Sequence, residues 1–266
     1  MGKPGGNVVY QDIDELWNGY EDLLVDLAKR EGVKAVAELG GGANPIVAES
    51  KWDFVQQRVV LDISATELDK SEGNVETRVA DLCQPIEDGH NQYDLVFSKM
   101  LCEHLPDPVT FHQNCFKLLR PGGLSVHFFP TLHSLPILVN HLIPEKQARA
   151  LVQVFQPWRI SDPKQQKFPA YYRWCLGPSR RTAKRYESVG FEVERINATF
   201  GHGYYRRLPP LHALERLKMK LLHRHPVPYL ASFVVVILRK PHVGYGSGSL
   251  SASAKVSETT LKNASG

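Results

Sequence analysis

The chain has 266 residues, of which 42% are hydrophobic and 23% are charged. This composition is that of an ordinary globular protein and excludes the collagen-like and fully disordered classes. We expect one α/β domain over residues 1–240, with a substrate-side insertion at 131–178, rather than two domains. The Gly- and Ser-rich residues 241–266 are predicted to form a disordered tail.

Two features favour a cytoplasmic protein. Residues 1–10 contain no apolar segment typical of a secretory signal, and the longest apolar run, 229–238, is about half a membrane span. The four cysteines are scattered without a C-x-x-C pair. This spacing argues against a zinc site and a disulfide framework, so we predict no metal and a reducing compartment.

The net charge of +4 conceals an uneven distribution. Residues 131–225 hold about 17 Lys and Arg against about 6 Asp and Glu, so the rest of the chain is acidic. A uniformly basic chain would indicate a nucleic-acid binder. Because the positive charge is concentrated in residues 131–225, it indicates instead a ligand that contacts this segment.

Residues 11–30 carry apolar side chains at helical spacing and predict an amphipathic helix. This helix either crosses a ligand crevice or simply covers the sheet. Strands are predicted near 34–39, 57–62, 76–80, 92–98, 123–129, 191–199 and 229–239. Since helical segments fill most gaps, including one that begins near Ser179 and a basic one at 211–222, the pattern predicts a largely parallel sheet.

The first of these strands leads into a glycine-dense turn, Glu38-Leu39-Gly40-Gly41-Gly42-Ala43-Asn44-Pro45. Glycine permits positive φ and close approach of a ligand to the backbone. Pro45 stands where a dinucleotide-binding turn needs its third glycine. The turn therefore suits a ligand without a pyrophosphate.

Carboxylates recur after the following strands, at Asp62 and Asp81, and the fourth strand begins Asp94-Leu95-Val96. The segments 103–108 (EHLPDP) and 119–124 (LRPGGL) follow in order. Over residues 33–130 the chain resembles the class I S-adenosylmethionine-dependent methyltransferases of small molecules. This resemblance implies a Rossmann-like, doubly wound sheet of seven strands, mostly parallel with the last strand antiparallel, and S-adenosyl-L-methionine as cofactor.

The resemblance also assigns roles to the turn. Glu38 would lie near the amino-acid end of the cofactor, and Gly40 and Gly42 would let the backbone approach it. Asn44 replaces a more usual glycine, and Asn is one of the few residues that tolerate the left-handed region.

Further along, the resemblance places the ribose diol on Asp62 and the adenine amine on Asp81, with the Leu82 amide donating to the ring. Ser98 would line the crevice floor. Alternatively Asp62 is a helix cap, for which Ser64 or Thr66 is better suited, and Asp81 is a plain turn residue.

Methyl transfer depends mainly on alignment, and a base is needed only if the nucleophile is protonated. His104 is the nearest candidate base, because its unperturbed pKa suits proton transfer. The alternative is a capping or core histidine without a chemical role. His133 and His202 are weaker candidates.

The acceptor is expected to be an amphiphilic or glycosylated small molecule that is methylated at oxygen, with carbon and nitrogen as the alternatives. Residues 171–174 (YYRW) with Arg180 and Arg181 would grip a sugar or an anion. Alternatively the apolar residues of 135–143 and the basic helix would lie on a membrane and admit a lipid or quinone, or the basic surface is simply solvated.

Three other functions remain open from the sequence. A nicotinamide-dependent oxidoreductase is disfavoured by Pro45 and Asp81. A cofactor-binding protein without catalysis would keep the same motifs. An RNA methyltransferase is disfavoured because 98–101 (SKML) replaces the N/D-P-P-[YF] tetrapeptide, so no nucleic-acid partner is expected.

Overall fold

The computed structural model describes residues 7–71, 73, 75–133, 169–202, 205 and 208–242. Within these residues eight strands form one sheet, in the order β1-β7-β8-β6-β5-β2-β3-β4. The strands are β1 (Asn7–Tyr10), β2 (Ala35–Leu39), β3 (Gln57–Asp62), β4 (Glu76–Val79), β5 (Tyr93–Lys99), β6 (Leu119–Pro130), β7 (Glu192–Thr199) and β8 (Phe233–Arg239). The helices are α1 (Ile13–Asn18), α2 (Tyr20–Arg30), α3 (Ala65–Leu68), α4 (Pro108–Leu118), α5 (Arg180–Glu187) and α6 (Pro209–Arg224).

The sheet is mostly parallel, as predicted. Only β8 runs antiparallel to its neighbours, β6 and β7. The α/β fold and the antiparallel last strand are therefore confirmed. The sheet has one strand more than the expected seven, because β1 pairs in parallel with β7 from Asn7 opposite Arg195. Four residues are too short to show a strand period in the sequence.

Apolar residues cover both faces of the sheet. In β2, Ala35, Ala37 and Leu39 belong to the core on one face, whereas Val36 belongs to the core on the other. Side chains of a strand alternate between faces, so a strand covered on both sides is apolar at every position. This is why β2 and β8 appear in the sequence as continuous apolar runs.

The predicted helix over residues 11–30 is instead two helices, α1 and α2. Gly19 separates them. A Cβ atom at Gly19 would lie 2.5 Å from the carbonyl oxygen of Glu15, so a side chain does not fit at this bend. The apolar spacing continues across the bend, and the pattern alone therefore did not reveal it.

The chain reverses its direction across the sheet between β2 and β5. The strands β2, β3 and β4 follow one another outward, and β5 then returns to pair with β2 on the other side. In open α/β sheets a ligand crevice opens at the carboxyl ends of the strands at such a reversal. The fold thus places the crevice beside Glu38 and the glycine turn.

At the opposite edge of the sheet, Asp94 joins β5 to β2. Its carboxylate accepts hydrogen bonds from the backbone amides of Lys34 and Ala35 at 2.9 Å and from the Arg120 guanidinium at 2.8 Å. Burial raises the pKa of Asp94, but these hydrogen bonds outweigh burial and hold the pKa below its ordinary value.

Several sequence predictions lie outside the described residues. These are most of the 131–178 insertion, including the apolar residues of 135–143, and the tail from residue 243 onward. Among the helices that the structure describes, none is long and apolar enough to cross a membrane.

We predict that Asp94→Asn lowers the free energy of unfolding by about 1–3 kcal/mol at pH 7, because it weakens charge-assisted hydrogen bonds to three donors. The folded pKa is depressed, so this stabilisation exists above the unfolded pKa and is lost as pH falls through the folded pKa. Urea unfolding at neutral and acidic pH measures this change, with the exposed Asp26→Asn as control. If Asp94→Asn lowers the free energy of unfolding as much at acidic pH as at pH 7, the assignment is contradicted.

Candidate functional site

The turn after β2 leaves no room for side chains. Gly40 and Gly42 have φ values of +72° and +50°, which favour glycine. A Cβ atom at Gly41 would lie 2.9 Å from Cγ1 of Val60 and 3.0 Å from Cδ of Glu38. The sequence singled out Gly40 and Gly42, but Gly41 is the glycine that lets the turn lie directly on the Glu38 carboxyl group.

Asn44 lies exposed in the same turn, and its amide approaches the carbonyl oxygen of Gly41 at 3.3 Å. Its backbone is not left-handed. Among the described residues other than glycine, positive φ occurs at Asn91, Met100 and Tyr172. The reason offered for Asn at this position is therefore wrong, and a contact of Asn44 with the cofactor stays a prediction.

Glu38 is buried at the carboxyl end of β2, with 3% of its surface exposed. Its Oε2 accepts a hydrogen bond from the Val47 amide at 2.9 Å. Burial raises the pKa of Glu38 to about 7, although backbone hydrogen bonds from Val47 and Ile46 oppose this shift. The crevice therefore contains a carboxyl group whose ionised form water does not stabilise, and a cation beside it would favour that ionised form.

The helices α1 and α2 cross the carboxyl ends of β5 and β6. The Tyr20 hydroxyl donates to the Ser98 carbonyl at 2.9 Å and lies 3.3 Å from that of Val126. The Lys99 ammonium lies 5.4 Å from the ring centre of Trp17 and 5.8 Å from that of Tyr20. The helix α2 also contributes residues to the apolar core on one face of the sheet, so the segment covers the sheet as well as crossing the strand ends.

Asp62 ends β3 beside the turn. Its Oδ1 accepts a hydrogen bond from the Ser64 amide at 2.9 Å, while its Oδ2 lies 3.5 Å from the position of a Cβ on Gly42. Ser64 is the residue that caps α3, through its hydroxyl and the Glu67 amide. Asp62 is thus not the helix cap, and Oδ2 faces the glycine turn.

Asp81 is exposed in the loop after β4, and its Oδ1 accepts a hydrogen bond from the Cys83 amide at 2.9 Å. Asp81 therefore does stabilise a turn, but only one of its two carboxylate oxygens takes part in that hydrogen bond. Leu82 is buried, and its carbonyl accepts from the Asn114 side chain at 3.0 Å. Its amide donates no hydrogen bond within the described part of the chain, so adenine contact by both residues remains a prediction.

Ser98 contributes only its backbone to the crevice. Its side chain is completely buried, and the hydroxyl oxygen lies 2.8 Å from Nδ1 of His127 in the core. Because side chains alternate between the faces of a strand, the Ser98 hydroxyl points into the core, and a role of Ser98 at the crevice floor stays a prediction. Any cofactor contact of Ser98 would be made by main-chain atoms.

That core contains a polar cluster that the sequence did not reveal. Ligand-type atoms of His112, Cys115 and His127 all lie within 4.8 Å of one another, and all three residues are buried. The ring nitrogens of His127 meet the hydroxyls of Ser98 and Ser125 at 2.8 and 2.7 Å. Burial lowers the pKa of His127 to about 3 and that of His112 well below its ordinary value. The histidines are therefore neutral, and serine hydroxyls satisfy His127 without an ion.

His104 lies in a short 3₁₀ helix directly after β5. Its Nδ1 is 2.9 Å from the carbonyl oxygen of Pro169, at the end of the insertion. A carbonyl only accepts, so this contact places the imidazole proton on Nδ1 and the lone pair of a neutral ring on Nε2. Nε2 lies 3.9 Å from the Glu103 carboxylate. The arrangement suits a base, although no observation tests catalysis.

The weaker candidate bases have other surroundings. His202 is buried beneath α6, with Nε2 3.3 Å from the Glu215 carboxylate, and burial lowers its pKa to about 3. Such a histidine is a weak base. His133 follows β6, and its ring lies against that of Tyr229.

Only some of the residues that were expected to bind a sugar are accessible. The Trp174 ring stacks on the buried His112 at 5.4 Å, and the Arg185 guanidinium covers it at 5.9 Å. Trp174 therefore packs on the core. Tyr171, Arg180 and Arg181 remain exposed.

Met100 is a further residue at the crevice that no sequence pattern indicated. It follows β5 with a φ of +59°, which is unfavourable for a side chain of this size. Its amide donates to the Phe128 carbonyl at 2.8 Å, and this bond holds the turn in place. Such backbone conformations often occur at ligand sites.

Comparisons with known proteins agree with this geometry. Residues 37–127 match the family model of the methyltransferase domain. Ubiquinone biosynthesis O-methyltransferases from Caulobacter sp. (strain K31) and Caulobacter vibrioides are each 32% identical, over 80 and 87 residues, which cover 25% and 27% of this chain. These matches span about a third of the relatives' own length, 32% and 34%.

The fold is also similar to a solved structure. Phosphoethanolamine N-methyltransferase 2 from Haemonchus contortus, in complex with phosphomonomethylethanolamine and S-adenosylhomocysteine, superposes with a TM-score of 0.52 at 17% identity. The superposition covers 85% of this chain and 53% of that one.

We predict that Glu38→Gln stabilises the folded protein above pH 7 by about 1–3 kcal/mol, since it removes a buried charge. The folded pKa of about 7 exceeds the ordinary value of 4.5, so this glutamate favours folding at low pH and loses that contribution as pH rises towards 7. Urea unfolding from pH 5 to 8 measures the difference, with the exposed Glu15→Gln as control. A variant that is less stable than wild type at pH 8 would contradict this assignment.

Proposed function

We propose that the protein is a class I S-adenosylmethionine-dependent methyltransferase, which transfers the methyl group of this cofactor to an oxygen of a small amphiphilic acceptor. The match of residues 37–127 to the family model of the methyltransferase domain supports this proposal. One observation carries the proposal. The neighbouring strands β2, β3 and β4 each have a carboxylate within two residues of their carboxyl ends, at Glu38, Asp62 and Asp81, beside a turn of three glycines.

Each carboxylate matches one part of the cofactor. The ammonium of its amino-acid tail would offset the buried charge of Glu38. The free Oδ2 of Asp62 would accept hydrogen bonds from the ribose diol, because an ionised carboxylate has several acceptor sites. Asp81 would accept from the adenine amine, and the Leu82 amide would donate to the ring.

The transfer itself requires little covalent chemistry from the protein. The acceptor oxygen attacks the methyl carbon, the carbon–sulfur bond breaks, and S-adenosylhomocysteine leaves as the neutral thioether. Alignment of the oxygen with the methyl group supplies the main acceleration, about 7–11 kcal/mol for well-oriented reactants. Trp17 and Tyr20, which lie across the strand ends, would help to exclude water.

A hydroxyl acceptor must also lose its proton. We assign this step to Nε2 of His104, because Pro169 holds the proton on Nδ1. The imidazolium that forms would be stabilised by the Glu103 carboxylate, 3.9 Å away. The loop thus holds this imidazole directly after the strand that forms the crevice floor.

Two observations bear on the class of the acceptor, one from the described end of the insertion and one from the relatives. Because Trp174 packs on His112, a stacking platform for a sugar is weakened. The ubiquinone biosynthesis O-methyltransferases are similar over part of the domain and favour a phenolic, lipid-like acceptor over a glycosylated one. The nicotinamide alternative has no comparable support, since a pyrophosphate would meet Pro45 and Asp81.

Removing the Asp62 carboxylate tests the cofactor site. We expect Asp62→Ala to weaken S-adenosylmethionine binding by about 1–3 kcal/mol, the cost of leaving the ribose hydroxyls without an acceptor. Isothermal titration calorimetry measures this change. Asp26→Ala, an exposed position on α2, is the matched control and should bind like wild type. Equal affinities of the two variants would remove Asp62 from the site.

The His104 assignment is tested with two variants and an alkylated catechol as acceptor. His104→Ala removes both the base and the contact with Pro169. His104→Asn keeps a side-chain amide that can donate to the same carbonyl but has no base. If His104 is the base, both variants lose about 10²–10⁴-fold in kcat while S-adenosylmethionine affinity is retained.

The asparagine variant decides between the two roles. If it keeps wild-type kcat and pH profile while the alanine variant does not, His104 only holds the insertion to the loop. Transfer of radiolabelled methyl groups from the cofactor provides the measurement for all three proteins.

A further inference from the structure

The helix α6 exposes a stripe of leucines. Leu211, Leu214, Leu217 and Leu221 are 39%, 62%, 54% and 55% exposed. Residues spaced by three and four positions lie on one side of a helix, so these side chains form one continuous row. We call this row the leucine stripe. Single exposed leucines are ordinary, but an aligned row of four indicates a surface that is covered in function.

The stripe is not the side by which α6 packs on the protein. That side is formed by Glu215, Met219 and Leu222, of which Glu215 and Leu222 are buried. The Met219 methyl group lies 2.8 Å from the position of a Cβ on Gly201. These contacts fix the rotation of α6, and the leucine stripe therefore faces away from β7.

Positive charge borders the stripe. Arg216, Lys220 and Arg224 are exposed on the same helix. The only acidic residue between 208 and 232 is Glu215, which is buried and pairs with Lys218 at 2.9 Å. Between residues 208 and 232 the exposed charged side chains are therefore all basic, and this part of the surface complements one of negative charge.

The stripe lies towards the carboxyl edge of the sheet. The chain runs from α6 through 227–230 into β8, whose first residue, Phe233, pairs with the last residue of β6, Pro130. Val227, Tyr229 and Leu230 are also exposed on this approach, by 41%, 53% and 46%. The apolar surface thus continues to the edge at which Glu38 and Asp62 lie.

We propose that the leucine stripe, with 227–230, docks the protein on the surface of an anionic phospholipid bilayer. Leucines that enter the interface together with arginine and lysine beside them are the features by which an amphipathic helix lies on such a membrane. Docking would bring the carboxyl edge of the sheet next to the bilayer, in which an amphiphilic acceptor dissolves. The docking depends on this surface alone and not on methyl transfer.

Flotation of the full chain with lipid vesicles tests the proposal. Vesicles of phosphatidylcholine mixed with phosphatidylglycerol should bind the protein at low salt, and vesicles of phosphatidylcholine alone should bind it much more weakly. High salt should reduce binding, because it screens the basic residues. Absence of binding to the anionic vesicles at low salt overturns the proposal.

Paired variants separate the two contributions. Leu214→Ser with Leu217→Ser should weaken vesicle binding by about tenfold or more through lost apolar contact. Phe54→Ser is the control, because Phe54 is 41% exposed but precedes β3 at the opposite edge. Lys220→Glu with Arg224→Glu should weaken binding by about tenfold or more, whereas Lys117→Glu, at the end of α4, should not.

Two readouts keep the result interpretable. Circular dichroism and S-adenosylmethionine affinity establish that each variant is folded, and failure of cofactor binding would bear on the proposed function rather than on docking. Light scattering tests for a second copy on the stripe. A dimer that the leucine variant dissociates, without vesicle binding by wild type, would assign the stripe to self-association and overturn the membrane proposal.

Discussion

The burial of the Glu38 carboxylate is the constraint on which the site depends. The end of one strand, the absence of a side chain at Gly41 and the amides of Val47 and Ile46 fix the carboxyl group in a place that water hardly reaches. Burial raises its pKa to about 7, so ionising it in the free protein is costly. A cation that enters the crevice offsets this cost. The binding of a positively charged ligand is thereby coupled to the protonation of one residue.

The remaining functional features follow from the parallel arrangement of the strands. The carboxyl ends of β2, β3 and β4 meet at one edge, which brings together side chains that are far apart in sequence. The same edge receives Tyr20 from α2, His104 from the loop after β5, and the exposed residues 227–230 that precede β8. The residues that we propose to bind the cofactor and to act as base therefore lie at one edge of the sheet, and the basic charge of the later part of the chain lies partly on α6.

Much of this arrangement could be predicted from the sequence, because it depends on local patterns. Strand ends carry Glu38 and Asp62, and a strand with its turn is recognisable from a few adjacent residues. The Ser98 hydroxyl, the Trp174 ring and the His112–His127 cluster could not be predicted in this way, because the face a side chain occupies depends on pairing between distant strands and helices. Gly19 and Gly41 are required by single close contacts, which leave no periodic signal.

The account is tested most directly by measuring the pKa of Glu38 in the wild-type protein, by carbon-13 NMR of its labelled carboxyl group. The account predicts a value near 7 without ligand, as burial dictates, and a clear fall when S-adenosylmethionine saturates the protein, because the ammonium stabilises the carboxylate. An ordinary value in the free protein, or a value that the cofactor leaves unchanged, would contradict the claim that this buried charge anchors the cofactor.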